Sequence, residues 1–139
     1  MQNNMKNIRF FLPLLFFALL ACGKGGNTPV DQIVILLDQA VEKTQSINSV
    51  TQLNDVQNII SPEDVWTIIR ENADYELSNS DKSKLKKSYD KLVKAAYEKS
   101  CEFIPNDEMK KLMKNQLDLW TEGIKKNIDN AKTLGQIRP

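Results

Sequence analysis

Few side chains in this sequence are equipped for covalent or acid–base chemistry. The 139 residues include no histidine, which removes the commonest general base, the commonest metal ligand and every histidine-dependent triad. Ser83-Lys84-Leu85-Lys86 and Ser88-Tyr89-Asp90-Lys91 both have the Ser-x-x-Lys spacing, in which a lysine one helical turn on can take the proton of a nucleophilic serine. Both matches fall within nine residues of a lysine-rich segment, where chance supplies them. The companion S-D-N and K-T-G motifs are missing, since Lys132-Thr133 is followed by Leu134. Glu71, Asp74 and Glu76 gather negative charge, but without the alternating oxygen ligands and central glycine of a calcium loop. They read as a solvated helix end. No glycine-rich phosphate loop is present. The side chains therefore point to no catalytic residue, no cofactor and no metal site, and the expectation is that the protein is not an enzyme.

The exception is Cys22, because of what surrounds it. Residues 1–9 carry Lys6 and Arg9 and no carboxylate, and Phe10 to Ala21 form a twelve-residue apolar run with one proline. A helix needs about 20 apolar residues to cross the hydrocarbon core, so this run is too short to span. It fits the apolar region of a secretory signal. Leu19-Leu20-Ala21-Cys22 then resembles the lipobox of bacterial lipoproteins. That resemblance covers about the first 22 residues and implies lipidation of Cys22, with diacylglyceryl transfer to its sulfur, cleavage after Ala21 and acylation of the new amino terminus. Several acyl chains at about 0.8 kcal/mol per buried CH₂ make a stable anchor. Residues 22–29, with Gly23, Gly25 and Gly26, read as a flexible tether. Gly23 follows the cysteine where familiar inner-membrane retention would place Asp, and no acidic cluster follows. The resemblance thus implies an outer-membrane address facing the periplasm. With Cys22 acylated only Cys101 remains, too little for a zinc site. The whole chain is also similar in style to small helical lipoproteins of Bacteroides-type bacteria.

Removing residues 1–21 leaves 118 residues, enough for one domain, with 17 basic and 18 acidic side chains, net −1. Such a balance excludes a dedicated nucleic-acid binder. The charge is unevenly placed. Residues 31–76 carry nine acids and two bases, whereas residues 77–139 carry nine acids and fourteen bases. Acidic and basic helices packed side by side would account for this. Alternatively, Lys82, Lys84, Lys86, Lys87, Lys91 and Lys94 would form an outward patch for an anionic envelope surface or an acidic protein partner. The solvated, side-by-side reading is favoured.

The elements that position these residues read as helices throughout. Ile33, Leu37, Ala40, Val41, Thr44 and Ile47 follow the spacing of one helix face, and Asp31 suits its positive end. Ser49 or Thr51 caps a short helix carrying Leu53, Val56 and Ile60. Ser61-Pro62-Glu63-Asp64 is a helix start, with serine as cap, proline preset for the first turn and acids at the dipole. Val65, Trp66, Ile68 and Ile69 form the buried face that follows. Residues 72–80 read as a loop, and Ser80-Asp81 opens a helix striped by Leu85, Tyr89, Leu92, Val93, Ala96 and Tyr97. Pro105 to Glu108 open the last helix, striped by Met109, Leu112, Met113, Leu117, Trp120, Ile124 and Ile128.

The sequence therefore predicts an all-α fold, a small antiparallel helical bundle of three to five helices, in three parts: signal peptide 1–21, tether 22–29 and helical domain 30–139. Leu37, Val41, Val65, Trp66, Ile69, Leu92, Val93, Leu112, Leu117, Trp120 and Ile124 are the expected core. Cys101 has no intramolecular partner and is expected either to pack as a small apolar side chain or to form an intermolecular disulfide; its place near Tyr97 and Phe103 favours burial. The expected role is a non-catalytic envelope lipoprotein, anchored at Cys22, whose domain contacts a protein or another envelope component. A pocket for a small molecule between helices is the alternative.

Overall fold

The computed structural model describes residues 28–53 and 63–138. Cys22, the signal segment and Val56, Ile60, Ser61 and Pro62 lie outside the described residues. Among the described residues five α-helices follow one another: α1 Pro29–Gln45, α2 Val50–Leu53, α3 Glu63–Glu71, α4 Asn79–Phe103 and α5 Asp107–Asn130, with a 3₁₀ turn at Leu134–Gln136. The protein is a small all-α bundle. None of the described helices is long and apolar enough to cross a membrane.

Helix starts are set by side-chain caps. Thr28 Oγ1 accepts from the Asp31 backbone N–H at 3.1 Å, and Pro29 occupies the first turn. Of these two residues, read from the sequence as the end of the tether, Pro29 belongs to α1 and Thr28 caps it. At α4, Ser78 Oγ accepts from the Asp81 N–H at 3.1 Å and Asp81 Oδ2 accepts from the Ser78 N–H at 3.0 Å. This reciprocal pairing satisfies two orphan donors. It starts the helix at Asn79 instead of at Ser80-Asp81, because Ser78 has the acidic residue three positions on. Asn106 caps α5 by accepting from the Glu108 and Met109 N–H groups.

Helix α1 packs chiefly on α4, α4 on α5, and α3 on α1. The hairpin of α4 and α5 is antiparallel, with Lys86 paired to Asp129 and Lys125 to Asp90 at 2.7 Å. Between α1 and α4 the pairs are Asp31–Lys84 at 2.9 Å and Asp38–Lys91 at 3.6 Å. Both partners advance by seven residues, so these two helices run in the same direction. The acidic first half of the domain and its basic second half do lie side by side.

The core gathers Val30, Ile33, Leu37, Val65, Ile69, Leu85, Tyr89, Leu92, Ile124 and Ile128. Val93 is buried as well. Val41, Trp66 and Trp120 are half-buried against this cluster, and Leu117 is half-buried. Leu112 does not belong to the core. It is 59% exposed, and Met109 is 55% exposed. The inward stripe of α5 runs through Met113, Leu117, Trp120, Ile124 and Ile128, and its first turns extend beyond the packed part of the bundle.

A C-terminal clasp completes the core. After α5 the chain turns back so that Ala131, Leu134 and Ile137 are buried. Leu77 N–H donates to the Lys132 carbonyl, Leu134 N–H to Tyr75 and Gly135 N–H to Ala73, each at 2.9 Å. This segment thereby pairs with the loop between α3 and α4, through an isolated antiparallel bridge of Glu76 and Thr133.

Candidate functional site

The residues singled out for chemistry are kept apart. Ser83 is exposed and Ser88 is buried. The lysines spaced from them are held by carboxylates, Lys86 by Asp129 and Lys91 by Asp38, so neither faces its serine as a base. Glu71, Asp74 and Glu76 are exposed, and the described residues contain no group of three or more potential metal ligands. Cys22 lies outside the described residues.

Cys101 is a free thiol, half-buried instead of buried. The expected burial fails because α4 turns Ala96 and Ser100 inward at this end, which leaves Cys101 at the margin. Its thiol hydrogen-bonds to Tyr97 and holds that phenol above its ordinary pKa.

The lysines of α4 divide into two kinds. Lys84 is paired with Asp31, whose carboxylate raises the lysine pKa; Lys84 in turn draws the Asp31 carboxyl below its usual value. Lys82 Nζ donates to the Asp129 carbonyl at 2.9 Å, and Lys94 approaches Glu98 at 3.9 Å. Lys87 has no carboxylate within ion-pair distance among the described residues. On α5, Lys125 binds Asp90, the main reason its pKa is raised. Lys126 has no such partner among the described residues.

Between α4 and α5 lies an open cleft of about 780 Å³. Ser83, Lys86, Lys87 and Asp90 line it from α4, and Glu122, Gly123, Lys125 and Lys126 are among its α5 wall. No aromatic side chain lines it. A smaller depression of about 280 Å³ sits further along the same hairpin, with Val93, Tyr97, Leu117 and Thr121 among its walls. The α5 half of the cleft was not legible from the lysines of residues 82–94 alone. Only the register Lys86–Asp129 and Asp90–Lys125 reveals that Lys126 lines the same cleft as Lys87, from the other helix.

No family model, curated protein or solved structure matches this chain.

Proposed function

We propose that the protein is a lipid-anchored, non-catalytic module of a bacterial envelope, whose helical domain meets a protein or another envelope component close to the membrane surface. The observation that carries this reading is the junction between lipobox and fold. Helix α1 is capped by Thr28, six residues after Cys22. At about 3.5 Å per extended residue, the domain stays within about 20 Å of the anchored sulfur. The α4–α5 turn lies at the opposite end of the bundle from Thr28, because α4 runs parallel to α1. The exposed Met109, Leu112 and Leu119 are therefore carried outward, on the part of the domain best placed to reach a partner. Anchorage at the outer membrane, facing the periplasm, fits the Gly23 position.

The deciding experiment fractionates cells producing the parent protein and Cys22→Ser. The parent is expected in the membrane fraction, and the variant unprocessed or released. A variant that partitions and is processed like the parent overturns the reading.

A small ligand held between helices is the second reading, favoured by the partly apolar depression around Val93 and Leu117. Native mass spectrometry of the parent and of Leu117→Trp tests it, since a copurified ligand of fixed mass that the added ring expels occupies this depression.

A further inference from the structure

We propose that the cleft between α4 and α5 binds a phosphate group, gripped from its two walls by Lys87 and Lys126. The two ion pairs Lys86–Asp129 and Asp90–Lys125 set the level of the helices. In that antiparallel register Lys87 is level with Ile128, so Lys87 and Lys126 stand two residues apart in height, about 3 Å at the rise of a helix, on the two walls of the cleft. Two of its carboxylates, Asp129 and Asp90, are already engaged, and the third, Glu122, lies 3.9 Å from Lys125. Four lysines face three acids there, and the excess charge resides on the two ammonium groups without a carboxylate partner among the described residues. An anion bridging them removes their mutual repulsion.

The remaining lining indicates which anion. Gly123 has nothing within 4 Å of where a Cβ would stand, which keeps the α5 wall low. Ser83 and Asn130 add neutral donors beside the lysines. Donors on both walls of the cleft suit a tetrahedral group with three or four acceptor oxygens better than a two-oxygen carboxylate. With no aromatic platform for a base or sugar ring, the phosphate itself is what the cleft recognises. The Asp31–Lys84 pair ties this end of α4 to the start of α1, so the cleft lies near the tethered end. The phosphate is accordingly either a phospholipid headgroup or a soluble phosphate monoester. The headgroup source rests on the anchorage at Cys22, whereas phosphate binding does not.

The test uses the full chain in neutral detergent and follows backbone amide shifts of residues 83–90 and 122–130. Inorganic phosphate and dihexanoylphosphatidylglycerol are titrated separately, with dihexanoylphosphatidylcholine as the zwitterionic comparison. Saturable shifts in these two segments are expected, and Lys87→Gln/Lys126→Gln should weaken binding at least tenfold. Lys43→Gln/Lys111→Gln removes the same charge from outside the cleft and should leave binding unchanged. Saturation by inorganic phosphate alone identifies a soluble monoester, and saturation by phosphatidylglycerol but not phosphatidylcholine identifies a headgroup. Absence of saturation with both anionic probes, or equal weakening in the two double variants, overturns the proposal. A Cys22→Ser variant that is processed and partitions like the parent would refute the anchor while leaving the inorganic phosphate result standing.

Discussion

Gly135 lies directly against Ala73: its N–H donates to the Ala73 carbonyl at 2.9 Å, and a Cβ at Gly135 would come within 2.7 Å of the Ala73 Cβ. The C-terminal clasp closes over the α3–α4 loop only because residue 135 has no side chain. The colliding atoms are a short side chain and backbone, neither of which swings aside. Gly135→Ala should therefore destabilise the domain by about 1–3 kcal/mol, the range for overpacking. Urea unfolding followed by far-UV circular dichroism measures it, and an unchanged midpoint would show that the clasp yields freely.

Gly123 presents the opposite case. It sits inside α5 with open space where its Cβ would be. Replacing a helix-interior glycine with alanine removes backbone freedom from the unfolded chain and improves propensity by about 1 kcal/mol. Gly123→Ala should raise the unfolding midpoint, and a fall would mean that the cleft wall is tighter than the geometry states.

Trp120 meets Tyr89 edge to face, with ring centroids 6.1 Å apart and planes at 73°. Such pairs add about 0.5–1.5 kcal/mol beyond area burial. Because Trp120 is half-buried, Trp120→Ala should cost roughly 2–3 kcal/mol, below the range for a fully enclosed aromatic. A double-mutant cycle with Tyr89→Leu isolates the ring contact, and a coupling energy near zero would remove it from the account.

Burial lifts the Tyr89 phenol from 10.0 to about 12. The unfolded chain then releases this proton two pH units before the folded one does. The stabilisation is complete below pH 10 and is lost as pH rises through 12, with a slope approaching about 1.4 kcal/mol per pH unit. Tyr89→Phe should flatten the alkaline fall in unfolding free energy. Parallel slopes for parent and variant between pH 10 and 12 would contradict the burial argument.

The helical class, the α1 and α4 stripes and the start of the last helix were all legible in the sequence, because apolar spacing and capping residues act over three or four positions. Ile33, Leu37, Leu85 and Leu92 fall where their spacing put them. The choice of Ser78 over Ser80 as cap depended on which serine sees Asp81 three residues on, a local rule applied to the wrong serine. Leu112 matched the α5 stripe yet is exposed, since periodicity tells which residues share a face but not where along a helix its neighbour ends. Ala131, Leu134 and Ile137 lie beyond the end of α5, and their burial follows only from the clasp against Ala73, Tyr75 and Leu77. The lysines show the same division. Charge counts foretold acidic and basic helices side by side, but the pairing of Lys84 with Asp31, and of Lys86 with Asp129 while Lys87 and Lys126 face one cleft, is set by contacts 40 or more residues apart in the chain. Local chemistry fixes what a segment becomes; which side chains meet is decided by how the helices register on one another.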